Sequence, residues 1–314
     1  MSDRKLSLST EDRIEGMPTD ALSSFARYEA VRGRLPSAHF PTAPRILPTL
    51  SEVAEHYDGF LLDAFGVLNI GETAIPGAVA RMADLRARGK RLVVLTNAAS
   101  YTRPQLLQKY HRLGYDFTAE EVVSSRDVAA EALERIAPGA TWAALAAEGD
   151  GFADLPAKVV DALADPDAFD HADAFLFLST ARWSLDAQAR LVDALRRRPR
   201  PLAIANPDLV APREGGLTLE PGLFAHLVMD ALPVEVHWFG KPFGAAFEAA
   251  IARTGLPAAR LAMVGDTLHT DTLGGAAAGC GTVLVADHGL FRGHAVDRFI
   301  AASGIVPDFV VATT

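Results

Sequence analysis

The chain has 314 residues, 49% of them apolar, and a formal charge of −9. Binding a nucleic-acid backbone needs a basic face, so this balance argues against a nucleic-acid partner and leaves any phosphate to be held by local groups. No apolar run reaches the length of a membrane span, Met1 to Lys5 lacks the apolar stretch of a signal peptide, and the single Cys280 excludes an internal disulfide framework. The expectation is a cytoplasmic protein with no membrane partner, large enough for two domains.

Ala21 to Arg34 predicts a helix, with Leu22, Phe25 and Tyr28 on one side. Pro36, Pro41, Pro44 and Pro48 then make an extended connector, so residues 1–49 read as an amino-terminal arm packed on the body or on a second subunit. From Leu50 the pattern alternates. Phe60-Leu61-Leu62 is an apolar strand that ends on Asp63; Pro76-Gly77 opens a helix to about Arg88; Leu92 to Leu95 is a strand that ends on Thr96-Asn97. A helix from Arg103 to Leu113, a short strand at Val122-Val123 and a helix from Arg126 follow. Strand and helix in alternation predict an α/β protein with a Rossmann-like parallel sheet covered on both faces.

The middle of the chain has strands of its own at Trp142 to Ala146, Ala174 to Leu178 and Leu202 to Ala205, and a helix over Leu185 to Arg197. The last strand runs into Asn206-Pro207-Asp208. Residues 130–235 therefore read as an α/β domain inserted into a core made of 50–129 and 236–314. The basic run Arg196 to Arg200 reads as a solvated helix carboxyl end, where cations suit the dipole. The first pattern resumes at Val236-His237-Trp238-Phe239-Gly240-Lys241-Pro242, continues through a helix from Phe243 to Thr254 and a strand Leu261 to Val264, and reaches Gly265-Asp266-Thr267-Leu268-His269-Thr270-Asp271. A helix from Thr272 and a strand from Thr282 to Ala286 complete it.

Apolar strands thus end in Asp63, Thr96 and Asp266, with Lys241 entering from a loop. In a parallel sheet these ends share one edge, where ligands bind. Two carboxylates there suit a hard divalent cation such as Mg2+, which takes oxygen ligands. A hydroxyl and an ammonium suit the oxygens of a phosphoryl group, whose transfer is catalysed mainly by positioning and charge. A carboxylate aimed at that phosphorus is a covalent nucleophile.

The order and spacing of Asp63-Ala64-Phe65-Gly66-Val67-Leu68, Thr96-Asn97, Gly240-Lys241-Pro242 and Gly265-Asp266 with Asp271 resemble the four motifs of the haloacid dehalogenase (HAD) superfamily. The long insertion between Thr96 and Lys241 is that of a class II cap. Asn206-Pro207-Asp208-Leu209-Val210 and Thr267 to Asp271 resemble the NagD-type subgroup, mostly Mg2+-dependent phosphatases of small phosphorylated metabolites, and a homodimer through the cap is a further implication. The resemblance makes Asp63 the nucleophile and a metal ligand, adds the main-chain carbonyl of Phe65 and the side chain of Asp266 as ligands, and gives Asp271 a supporting role. It assigns Thr96 and Lys241 to the phosphoryl group, with Asn97 assisting.

The family's phosphatases carry a second Asp where this chain has Phe65, and that Asp serves as acid and base. Such assistance contributes roughly two to four orders of magnitude in rate. Three readings stay open: a phosphatase whose acid comes from His269 or from a cap residue such as Asp208, beside Asn206; an enzyme for substrates with good leaving groups; or a binding protein that has lost turnover. A fourth, dehalogenation, accounts for an aromatic residue at Phe65 but not for the cap position or for the retained acidic pair at Asp266 and Asp271.

Overall fold

The computed structural model describes residues 17–213 and 215–314. The part of the expected arm before Met17 lies outside the described residues.

The large sheet has seven strands in the spatial order Arg45–Thr49, Phe309–Thr313, Gly281–Val285, Leu261–Gly265, Gly59–Leu62, Arg91–Thr96 and Val122–Ser124. Every pairing in it is parallel. Alternation along each strand divides the apolar side chains between two faces. Phe60, Leu62, Leu92, Val94 and Val264 pack on one face beneath the helices Ala78–Ala87 and Arg103–Arg112. Leu61, Val93, Leu95 and Met263 pack on the other against Phe247 and Ala250 of the helix Gly244–Thr254. Because both faces are covered, the run Phe60-Leu61-Leu62 is fully buried, and each such side chain contributes about 2 kcal/mol through the apolar surface it removes from water.

From Gly59–Leu62 the chain first adds strands on one side, then crosses to build Leu261–Gly265 on the other. The strand order reverses between these neighbours, the place where an open α/β sheet leaves a crevice at its carboxyl edge.

Five further parallel strands form a second sheet in the order Val236–Trp238, Leu202–Ile204, Ala174–Phe177, Thr141–Leu145 and Lys158–Asp161. Val236–Trp238, read from sequence as the resumption of the core, is therefore an edge strand of the smaller sheet, and the chain returns to the large sheet only after Trp238. An antiparallel hairpin, Val210–Arg213 with Gly216–Leu219, follows the Asn206-Pro207-Asp208 turn. Arg126, buried, ties the two parts together: its guanidinium pairs with Asp150 and Asp154 at 2.6 Å each and donates to the Ala99 carbonyl.

Two pieces of the expected arm belong to the body. Arg45–Thr49 is the edge strand of the large sheet, paired with Phe309–Thr313. The helix Ala21–Ala30 starts at an Asp20–Ser23 capping box and buries Tyr28 in a cluster with Leu209 and Leu223 of the inserted segment and Leu268, Phe291 and Phe299 of the body. In the basic run, Arg196 and Arg197 are exposed, while Arg200 is buried and donates to the carbonyls of Phe169, Asp170 and Ala172. Among the described residues no helix is long and apolar enough to cross a membrane.

Candidate active site

The three central strands deliver their polar ends to one place for a geometric reason. Val264 is level with Leu62, and Leu62 with Val94, so Asp266, Asp63 and Thr96 emerge from adjacent strands within two residues of a common line. Neighbouring strands lie about 4.8 Å apart. Carboxylate oxygens of Asp63, Asp266 and Asp271 fall within 4.8 Å of one another. Lys241 inserts its ammonium between them, 2.6 Å from Asp63 Oδ1 and 2.8 Å from Asp271 Oδ1, and is almost wholly buried.

Backbone and hydroxyl donors fix each carboxylate. The amide of Ala64 donates to Asp63 Oδ1 at 2.7 Å. Asp266 accepts from the Thr267 hydroxyl at 2.9 Å and from the Leu290 amide at 2.7 Å; Asp271 accepts from the Thr267 amide at 3.0 Å. Gly66 sits at φ +77°, and a Cβ there would lie 2.6 Å from the Asp266 Cβ, so the turn after Asp63 needs glycine both for its backbone and for the approach of Asp266.

Burial pushes the Asp63 carboxyl up to about 7; the Lys241 charge opposes that shift and Asp271 adds to it. Asp266 is raised well above the carboxylate range by burial, then by Asp271 and Asp63. Burial disfavours the Lys241 ammonium, but Asp271, Asp63 and Asp208 together raise it above its ordinary value. Three carboxyl groups facing a single ammonium can all ionise only at a cost, which the raised values of Asp63 and Asp266 reflect. An all-oxygen donor set of this kind fits a hard divalent cation, whose charge favours the ionised carboxylates.

Asn97 joins the site to the inserted segment. Its Nδ2 donates to the Lys241 carbonyl at 3.0 Å and to Asp208 Oδ1 at 2.8 Å, while its Oδ1 accepts from the Lys241 amide at 2.8 Å. Asp208 is half-buried, and burial, opposed by Lys241 and reinforced by Asp63, raises its carboxyl to about 8. The Thr96 hydroxyl accepts from the Ala98 amide at 3.2 Å and is also bonded by the buried Tyr110 hydroxyl.

Asp63, Thr96, Asn97, Lys241, Asp208, Asp266 and Asp271 thus come together. Asn206 does not face the same space: its Nδ2 donates to Glu220 and its Oδ1 accepts from the Asp208 amide, so both ends hold the loop. His269 is turned away as well. Its Nε2 meets Glu29 Oε1 at 2.5 Å, its ring stacks on Tyr28, and burial lowers it to about 4 despite Glu29. A neutral imidazole that donates to Glu29 anchors the amino-terminal helix, and this corrects its reading as a proton shuttle. Phe65 packs beside the site between two cations, with Arg213 Cζ 4.5 Å and Lys109 Nζ 5.0 Å from the ring centroid. Sequence reasoning missed Tyr110, Thr267 and Tyr28. Thr267 follows Asp266 and was within reach of a local argument; the two tyrosines carry no positional signal.

The chain resembles known proteins over most of its length. Residues 60–155 match a family model described as haloacid dehalogenase-like hydrolase, and residues 238–313 match a second HAD-type model. Glycerol-3-phosphate phosphatase of Gallus gallus is 33% identical over 288 residues, covering 84% of this chain and 91% of that one. A possible sugar phosphatase of the HAD superfamily from Cytophaga hutchinsonii superposes with a TM-score of 0.74 at 26% identity, over 86% of this chain and 98% of that one. The glycerol phosphate phosphatase of Mycobacterium tuberculosis in complex with magnesium gives 0.67 at 26% identity, over 83% and 76%.

Proposed function

The chain belongs to the haloacid dehalogenase-like hydrolases as a phosphatase of the NagD type, and from that premise we propose that it hydrolyses small phosphorylated metabolites with Mg2+, through a phosphoryl group carried transiently on Asp63. The observation that supports this most is the buried Lys241 ammonium bridging Asp63 and Asp271 beside Asp266. A merely structural ion pair would not need three converging carboxylates at a sheet switch point.

In this reading Asp63 attacks phosphorus with the oxygen not engaged by the Ala64 amide, which holds its partner oxygen in place. Thr96 and Lys241 bind the phosphoryl oxygens, and Asn97 fixes Lys241 by gripping both its amide and its carbonyl. Fixed donors aimed at developing charge need no rearrangement during reaction, the main source of such catalysis. Asp63, Asp266 and the Phe65 carbonyl, supported by Asp271, are the groups that would hold Mg2+; when bound it draws charge from the phosphoryl oxygens and neutralises the carboxylates. The inserted second sheet is the cap in this proposal, and it closes the crevice through the Asn97–Asp208 contact.

The test is phosphate release from a panel of phospho-metabolites and acyl phosphates, in Mg2+ and in EDTA, with Asp63→Asn as control. Metal-dependent release that vanishes in the variant is the expected result. No release from any substrate, with phospho-ligands still raising the melting temperature, would replace the proposal by a binding role.

A further inference from the structure

Phe65 leaves one chemical task without an agent. Cleaving an alkyl phosphate produces an alkoxide that needs a proton, and the position that supplies it in related phosphatases is an aromatic ring here. Most groups around Asp63 are committed elsewhere. Lys241 is locked between two carboxylates, Asp266 and Asp271 belong to the acidic cluster, the Tyr110 hydroxyl is buried against Thr96, and His269 is bound to Glu29.

Asp208 differs from all of these. Its carboxyl accepts one hydrogen bond, from Asn97 to Oδ1, and among the described residues no donor reaches Oδ2. Among the described residues it forms no ion pair within 4 Å, yet the Asn97 amide that it accepts from also bonds the Lys241 carbonyl, and the Lys241 ammonium in turn touches Asp63. The loop that carries it is held on every side. The Asp208 amide donates to Asn206, the Leu209 amide donates to the Tyr28 hydroxyl at 3.1 Å, and Pro207 packs directly on Gly240 and Gly222. A Cβ at Gly240 would lie 2.4 Å from both Pro207 and Asn97, so the loop and the Lys241 segment touch with no side chain between them. A half-buried carboxyl, rigidly placed and shared between cap and core, has the fixed geometry that proton transfer requires.

We propose that Asp208, delivered from the inserted segment, is the general acid and base of this enzyme in place of the missing carboxylate at Phe65. The inference rests on the phosphatase mechanism above. As an Asp63 oxygen bonds to phosphorus, the bond to the leaving oxygen breaks, and that oxygen takes the proton of the Asp208 carboxyl to depart as an alcohol. The Asp208 carboxylate then removes a proton from water as the water oxygen attacks phosphorus. The Asp63–phosphorus bond breaks, inorganic phosphate leaves, and Asp63 and protonated Asp208 are restored. The groups facing Asp208 are consistent with a protonated resting form: burial with Asp63 and Asp271 favours the acid, Lys241 and the Asn97 hydrogen bond favour the carboxylate, and the balance sits at about 8. Tyr28, the remaining titratable neighbour, is itself raised by burial and by Asp208, and stays neutral, its hydroxyl accepting from the Leu209 amide.

Asp208→Asn keeps the oxygen that Asn97 binds and removes only the transferable proton. Its kcat/KM is compared with wild type for an alkyl phosphate, glycerol 3-phosphate, and for p-nitrophenyl phosphate, whose leaving group departs without protonation. The expected result is a loss of roughly 100-fold or more on the alkyl ester, within the range of acid–base assistance, and of less than about tenfold on the aryl ester. Equal losses on both substrates, or none on either, overturn the assignment. Melting temperature in Mg2+ within a few degrees of wild type identifies a folded variant. Should the Asp208→Asn protein fail to fold, Asp208→Glu supplies the same comparison, with partial retention on the alkyl ester expected and an unselective loss on both esters overturning it. Wild-type protein that releases no phosphate from these esters or from any other substrate of the panel defeats the phosphatase reading itself, whereas active wild type with an unselective variant defeats only the role of Asp208.

Discussion

Replacing Lys241 by Met removes a charge and leaves a stem of similar length in place. The ammonium lies 2.6 Å from Asp63 and 2.8 Å from Asp271, with all three side chains largely buried. At an effective dielectric near 20, each contact is worth about 6 kcal/mol of gross attraction. Desolvation of the charges offsets most of that, and the measured effect of removing one partner of a buried pair is about 3–5 kcal/mol, because the other is left uncompensated. In EDTA, Lys241→Met is therefore expected to unfold at a denaturant midpoint corresponding to that loss, and to melt on the order of 10 °C lower. Adding Mg2+ should restore more stability to the variant than to wild type, since the cation neutralises the carboxylates that the ammonium no longer faces. Turnover should remain down by roughly 100- to 1,000-fold even at saturating Mg2+, the usual effect of losing one preorganised charge-stabilising group. A metal-free variant within about 1 kcal/mol of wild type would refute the view that Lys241 holds this cluster together.

Two further outcomes follow from the same site. In metal-free protein the carboxyls of Asp63, at about 7, and Asp208, at about 8, bind protons in the folded state at a pH where the unfolded chain has released them. The folded state then binds more protons between roughly pH 4 and pH 8, so stability falls as pH rises through this window, by on the order of 10 kcal/mol at most. Melting curves in EDTA should show that decline, and Mg2+, by holding Asp63 ionised, should remove the Asp63 share while leaving that of Asp208; a flat profile in EDTA would mean that neither carboxyl is raised. Gly66→Ala should lower stability by at least about 1–3 kcal/mol, since alanine must adopt φ +77° and would clash with Asp266, and activity should fall with it. Denaturation of the purified variant with and without Mg2+ measures the first effect, and a neutral result would show that the Asp266 approach is not tight.

Much of the fold is legible because burial in a parallel sheet leaves a local trace. Phe60-Leu61-Leu62, the strand before Thr96 and the strand before Asp266 each read as an apolar run that stops on a polar residue, and each takes its expected place. Short edge strands leave a weaker trace. Arg45–Thr49 contains Pro48, which reads as a connector, yet an edge strand tolerates a proline because one side of its backbone needs no partner. Val236–Trp238 reads as a strand, but nothing in three residues tells which sheet will receive it.

The strand ends were legible in the residues alone, and with them the meeting of Asp63, Thr96 and Asp266, because parallel strands of one sheet must release their carboxyl ends on one edge; Lys241 follows a strand of the smaller sheet and reaches the site only through the tertiary fold. Only the tertiary structure decided which neighbours the remaining polar groups would find. His269 stands inside the same loop as Asp266 and Asp271, but a helix 240 residues earlier in the chain supplies Glu29 and takes it out of the chemistry. Asp208 reads from the sequence as one of two candidate acids, with His269, and Asn97, 111 residues away, is what draws it to the site. A strand's burial is written in its own residues, whereas a polar side chain's partner is set by whatever the fold brings within hydrogen-bond reach.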